Sequence, residues 1–208
     1  AHTMFRPASN LSLSVSPGWN VNNQGNQYVT ARPAPELTDF AGTRYIFADA
    51  TQRNLSFDTR INYTMSPGLT VELYAQPFIS SVRYDRFKEF TETRSTSRRV
   101  FAEDGGSVTT TTNANGQVTG YTIDPDGSGA SAPFSLSNPD FNLRSLRGNM
   151  VVRWEYRPGS TLFLVWTRSG SDFSPFTDDF RLGRDVDAMF GAKADNVFLV
   201  KMTYWLNR

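Results

Sequence analysis

The run from Asp124 to Gly129 holds the side chains that most closely match a known binding chemistry. Asp124, Asp126 and Ser128 place oxygen atoms at alternate positions, and Gly129 follows as the sixth residue, as in the first half of a calcium-binding loop. The twelfth position of that pattern is Ser135, where such loops carry a bidentate glutamate. The segment therefore predicts a weak calcium site or, in the alternative, an ordinary Asp-Gly turn.

Catalytic and metal-binding residues of the commonest kinds are scarce in this chain. Histidine occurs once, as His2, and cysteine is absent. A Ser-His-Asp hydrolase requires a histidine beside its nucleophile, and zinc and haem sites are built mainly from histidine and cysteine. We therefore expect a protein that is not an enzyme and that holds no cofactor apart from the calcium candidate.

Charged side chains recur at alternate positions of the strands predicted below, so that they would point to one side of a sheet. Opposite charges on neighbouring strands can pair, and the set would form either a salt-bridged plug or the lining of a selective passage. We favour the plug, because structural ion-pair networks are common. The carboxylate pair of a hydrolase is a third interpretation, although the spacing singles out no pair. The eight residues are Asp58, Arg60, Glu72, Arg147, Arg153, Glu155, Arg157 and Lys201.

The elements that must position these groups are strands with two opposite faces. Between Leu55 and Met65 most odd positions are apolar and all even positions are polar, and the alternation resumes after Ser66-Pro67-Gly68. Two such segments joined by a tight turn predict a hairpin. The same pattern predicts seven strands, at 9–16, 19–31, 44–65, 69–84, 143–157, 160–170 and 196–207.

The predicted connections alternate between short and long. Pro-Gly turns at 16–18, 66–68 and 157–159 are short, whereas 32–43, 85–142 and 171–195 are long. Outer-membrane barrels have short periplasmic turns and longer external loops. Within the longest connection, 107–112 and 117–123 flank an Asn-Gly turn and predict an external hairpin, and 124–137 is predicted to be irregular.

The composition is compatible with strands that cross a membrane. Only 38% of the 208 residues are hydrophobic, and no stretch approaches about eighteen consecutive apolar residues, which excludes helical spans. A barrel places its apolar band on every second residue, so its mean hydropathy stays that of a soluble protein. The formal charge of +1 gives no argument for a nucleic-acid partner.

Aromatic residues cluster near the predicted turns and strand ends. Amphipathic rings suit the boundary between headgroups and hydrocarbon, so they predict an aromatic girdle in contact with outer-membrane lipid. The residues are Trp19, Tyr63, Trp154, Tyr156, Trp166, Tyr204 and Trp205. The predicted fold is therefore an all-β, antiparallel, up-and-down transmembrane β-barrel or the C-terminal part of one. Residues 1–208 would form this single domain, with a loop insertion at 85–142.

Several segments resemble a known family of bacterial proteins. The most specific are Ser145-Leu146-Arg147-Gly148-Asn149 and the run from Arg153 to Trp166, and the closing run from Asp195 to Lys201 with Tyr204-Trp205 fits as well. They resemble the C-terminal end of outer-membrane proteins that carry a carbohydrate-binding family 9-like module before a barrel domain of unknown function. The resemblance implies a bacterial outer-membrane location and a barrel that continues upstream, and it implies no catalytic residues.

Two functional hypotheses follow. The first is a non-enzymatic outer-membrane barrel segment that serves as the membrane anchor or passage of a glycan-handling protein, completed by upstream strands or a partner chain because open strand edges are costly in lipid. The second is a soluble, secreted all-β carbohydrate-binding module whose exposed aromatic residues stack on sugar. Recovery in membranes or as a soluble monomer distinguishes the two.

Overall fold

The computed structural model describes residues 3–177 and 180–206. Within these ranges the chain consists of antiparallel strands and one short α-helix, which confirms the all-β prediction. The elements are β1 (Thr3–Ala8), β2 (Leu11–Pro33), β3 (Thr43–Ser66), β4 (Leu69–Phe90), β5 (Arg98–Val100), β6 (Ser107–Thr112), β7 (Val118–Asp124), β8 (Phe134–Ser137), β9 (Phe141–Arg157), β10 (Ser160–Pro175), α1 (Leu182–Gly191) and β11 (Ala194–Thr203), with a 3-10 turn at Thr38–Phe40.

A large sheet contains most of the strand residues. Its order is β1-β2-β3-β4-β9-β10-β11, so that each strand pairs with the next long strand along the chain. The strands β1 and β11 are its edges, and the described strands form an open sheet. Five of the strands run for sixteen to twenty-four residues, and β4 and β10 extend past their predicted ends at residues 84 and 170, to Phe90 and Pro175.

Two of the three predicted Pro-Gly turns are confirmed. Pro67-Gly68 joins β3 to β4, and Pro158-Gly159 joins β9 to β10. Gly159 has a φ of 75°, a conformation that glycine adopts without steric cost. These two hairpins set the register of the centre of the sheet.

The predicted turn at Ser16-Pro17-Gly18 was wrong. The strand β2 runs through it without a break, and the hairpin to β1 turns instead at Ser9-Asn10. Pro17 pairs with Phe57 of β3, and the pairing of β2 with the described residues of β1 extends to Val15.

The connections segregate to the two ends of the large sheet, as the alternation of short and long segments predicted. The short turns at 9–10, 67–68 and 158–159 lie at one end, which we call the turn end. The long connections at 34–42, 91–140 and 176–193 lie at the other, which we call the loop end.

The longest connection forms a structure of its own, which we call the cap (residues 98–137). The strand β5 pairs with the end of β4, and β6, β7 and β8 form a separate three-stranded sheet. The predicted hairpin is confirmed as β6 and β7. The prediction of irregular chain up to residue 137 was wrong at its end, since Phe134 and Leu136 of β8 are buried in a core.

That core lies between the cap and the loop end of the large sheet. Ile46, Ala48 and Phe87 of the large sheet pack with four residues of the cap. These four are Phe101, Ile123, Phe134 and Leu136. Several of them are fully buried, so the cap is held by a conventional hydrophobic core.

The helix α1 lies against the opposite face of the large sheet, where it contacts β9 and β10. Met189 and Asp185 are its buried residues. Among the described residues, no helix has both the length and the apolar character needed to cross a membrane.

Candidate functional site

The strand register aligns apolar residues on one face of the large sheet. Leu73 on β4 pairs with Ile61 on β3 and Met150 on β9, and Met150 pairs in turn with Trp166 on β10. We call this side the apolar face; between the turn end and the bulges of β2 and β4 it carries the odd positions of β2 to β4, and it carries the even positions of β9 to β11. Toward the turn end many of its side chains are exposed, including Phe198 at 75%.

The predicted girdle residues fall in two groups. Trp19, Tyr63, Trp154 and Trp166 share the apolar face by register. Trp19 pairs with Leu55, which lies eight residues along β3 from Tyr63, a separation of ~26 Å at the usual rise per residue. Along a strand tilted by ~40° that separation corresponds to a height of ~20 Å, which fits within the ~25 Å apolar band of a membrane barrel.

The other predicted girdle residues gather at the turn between β9 and β10. The Tyr156 hydroxyl donates to the carbonyl of Thr203 at 3.2 Å, and the Arg157 guanidinium donates to the Tyr204 hydroxyl at 2.7 Å. Trp205 lies against Gly159. These rings therefore fix the end of β11 to the neighbouring hairpin.

All eight predicted charged residues share the opposite side, which we call the polar face. Among the residues that the structure describes, one ion pair occurs within this set, between Arg153 and Glu155 at 3.4 Å. The Asp58 carboxylate instead accepts hydrogen bonds from the Tyr74 hydroxyl and the Gln76 amide, both at 2.8 Å. The salt-bridged plug therefore stays a prediction, since the described strands form an open sheet and cannot show pairs across a lumen.

The carboxylates of the polar face are spread along the strands. On β4, Glu72 lies four residues from Gln76, which is opposite Asp58. On β9, Glu155 lies four residues from Val151, which is opposite Glu72. Each interval corresponds to ~13 Å along a strand. Glycosidase carboxylates are about 5 to 9.5 Å apart, so this arrangement does not form such a pair.

The calcium candidate is folded as a turn. The Asp124 carboxylate accepts from the backbone N–H groups of Asp126 and Gly127, at 3.3 and 2.8 Å, and the Asp126 carboxylate accepts from the N–H of Ser131. Ser135 lies in β8. Among the described residues, no three acidic, histidine or cysteine side chains gather as metal ligands would. His2, the only histidine, lies outside the described residues.

Ion pairs concentrate at the loop end, on residues that the sequence pattern did not single out. Arg44, whose side chain is 2% exposed, donates to Glu89 at 2.7 Å and to Glu36 at 3.2 Å. Arg99 also pairs with Glu89. The Arg44 guanidinium also lies 5.2 Å from the centre of the Phe134 ring. The contact between Arg44 of the large sheet and Phe134 of the cap therefore joins the two.

A second buried ion pair lies under α1, on the apolar face. The Arg144 Nε donates to Asp185 at 2.8 Å, and its Nη1 donates to Asp172 and Ser174. Burial opposes ionisation of Asp185, but hydrogen bonds from Arg184, from the backbone N–H of Arg181 and from Arg144 outweigh it and hold the pKa of this carboxyl below its usual value.

A cleft of about 650 Å³ opens between the loop end of β4 and the cap. One wall is β4 around a bulge at Arg86, and the other is the β6-β7 hairpin. The Arg86 guanidinium makes two hydrogen bonds to Glu103, at 2.8 and 2.9 Å, and this pairing lowers the pKa of Glu103. The lining also includes the aromatic and polar residues Tyr84, Tyr121, Phe176, Arg83, Asp85, Asn138 and Asp140 and the aliphatic residues Val100, Ala102, Val108 and Val118.

The sequence pattern did not predict this cleft. Arg86 and Glu103 are seventeen residues apart in a segment that carries no motif, and only the fold of the cap brings them together. The bulge in β4 that turns Arg86 toward Glu103 leaves no local sequence signal either.

Comparisons with known proteins give no relative. No family model matches the chain, and neither a curated protein nor a solved structure is significantly similar to it.

Proposed function

We propose that this chain is part of the wall of a bacterial outer-membrane β-barrel and acts, without catalysis, as the membrane anchor of a glycan-handling protein. The observation that carries the proposal is the register of the large sheet. It collects apolar side chains and four of the predicted girdle rings on one face and charged side chains on the other. The resemblance described above supports the link to glycans.

The cap bears on whether such a barrel conducts. It covers the loop end of the polar face, which would line the lumen, and its core includes residues with no exposed surface. We therefore favour an anchor over an open passage. The open edges of β1 and β11 need pairing in lipid, by further strands of the protein or by a partner chain.

The test is recovery of the protein from its native source. Membrane recovery that requires detergent, with a band that shifts on boiling, is the expected result. Recovery as a folded, water-soluble monomer would overturn the proposal and favour the secreted carbohydrate-binding module, for which the aromatic cleft is the relevant observation.

A further inference from the structure

Two strained backbone positions meet at the cleft between β4 and the cap. Four described residues other than glycine have positive φ, and two of them, Arg86 at 49° and Phe176 at 61°, line the cleft. Such conformations are costly and persist where the surrounding structure holds them, which is frequent at binding sites. Here the Phe176 N–H donates to the Asp140 carbonyl at 2.6 Å, and Arg86 is held by Glu103.

The charges of the cleft are nearly balanced. Its five charged side chains are two arginines and three carboxylates. Each arginine is paired with a carboxylate of the cleft. Arg86 pairs with Glu103, and Arg83 pairs with Asp85 at a distance of 3.8 Å. A phosphate or sulfate group would meet no excess of positive charge, so the cleft does not favour an anionic ligand.

The cleft combines polar groups of both kinds with aromatic surface. The Tyr121 ring packs against Phe87 with centroids 4.8 Å apart, which holds the tyrosine ring in place. Guanidinium and phenol groups donate hydrogen bonds, whereas carboxylates accept them. The volume falls in the ordinary range of ligand sites, ~300 to 1,000 Å³.

We propose that this cleft binds a neutral saccharide. Sugar hydroxyls both donate and accept, so they can bond to carboxylates and guanidinium groups without carrying a compensating charge, and the C–H face of a sugar ring can lie on an aromatic side chain. The inference rests on the link to glycans in the proposed function and deepens it by naming the site and the class of ligand, but it does not depend on which face of the large sheet meets lipid.

The test is binding of the full chain, in detergent micelles, to an array of neutral and acidic oligosaccharides. We expect retention on neutral saccharides and about tenfold weaker binding for Glu103→Gln, since one charge-assisted hydrogen bond is lost. Glu155→Gln is the matched control, because Glu155 also pairs with an arginine but lies near the turn end. It should bind within about twofold of the native chain.

A second variant keeps the test independent of the ion pair. Thr110 is exposed on β6 and lines the cleft, so Thr110→Trp fills the space while leaving Arg86 and Glu103 intact. Loss of saccharide binding in this variant, with an unchanged circular dichroism spectrum, supports the proposal. Retention on acidic saccharides alone, retention on none, or equal binding by all variants would overturn it, whatever the outcome of membrane fractionation.

Discussion

At the turn end the described chain leaves both faces of the large sheet uncovered, whereas at the loop end the cap covers the polar face and α1 covers part of the apolar face. The treatment of charge differs accordingly. Arg153 near the turn end has a 41% exposed side chain and one loose partner, but Arg144 at the loop end is 3% exposed and has three partners. Buried charge requires such pairing, and exposed charge does not.

The turn end and the loop end obtain their stability in different ways. The loop end has a hydrophobic core and buried ion pairs, as a soluble domain does. The turn end has long strands with exposed apolar side chains and no covering layer among the described residues, so its stability depends on what surrounds it. Four experiments test this division.

The largest effect is expected from Phe101→Ala in the cap. Phe101 is fully buried between the cap and the large sheet, so its removal leaves a cavity and should destabilise the cap by about 3–5 kcal/mol. Hydrogen exchange of the amides of β7 measures this local opening. Thr112→Ala, an exposed position in β6, is the control and should leave the exchange rates unchanged. Equal protection in both variants would show that the cap is not held by this core.

The second-largest effect is expected from breaking the ion pair between Arg144 and Asp185 under α1. Arg144→Met leaves the buried Asp185 with its other partners and should cost about 3 kcal/mol in urea unfolding of the micelle-bound protein. Arg153→Met removes the exposed pair near the turn end and should cost less than about 1 kcal/mol. A similar decrease in the free energy of unfolding for the two variants would contradict the difference between the loop end and the turn end.

The alternating pattern was sufficient to predict the long strands and two hairpins, because side-chain period and Pro-Gly turn chemistry are local properties. It failed at Pro17, where the chain continues as a strand paired with β3 instead of turning. The cleft could not be predicted, since Arg86 meets Glu103 only through a bulge and the fold of the cap. Alternation placed the eight charged residues on one face, but pairing depends on neighbours that the pattern does not specify.

A charge placed on the apolar face tests directly whether lipid covers it. Leu164 and Val165 are adjacent on β10 and point to opposite faces, and Leu164 is 42% exposed. In lipid, Leu164→Arg should destabilise the folded protein by about 2 kcal/mol, whereas Val165→Arg should cost less than about 1 kcal/mol. Urea unfolding in lipid vesicles measures both. A soluble sheet would tolerate arginine at Leu164 because the position is already open to water.

The smallest effect is a dependence of α1 docking on pH. The folded protein holds the pKa of Asp185 below its ordinary value of ~4, so the carboxylate stabilises docking above that pH, and the stabilisation is lost as pH falls through the lowered pKa. A nitroxide on Gly183→Cys can report this, because the chain has no other cysteine and a side chain at this position meets open space. We expect the label to be less mobile near neutral pH, when α1 is docked, than in acid.

The control for this titration is Asp185→Asn, which keeps the size of the side chain and removes its charge. In that variant the mobility of the label should lose its transition in acid, because Arg144 then has no ionisable partner on the helix. If the transition persists in Asp185→Asn, another group releases α1. Asp172 also bonds to Arg144, and its side chain is 37% exposed. Asp172→Asn then tests whether protonation of this second carboxylate releases α1.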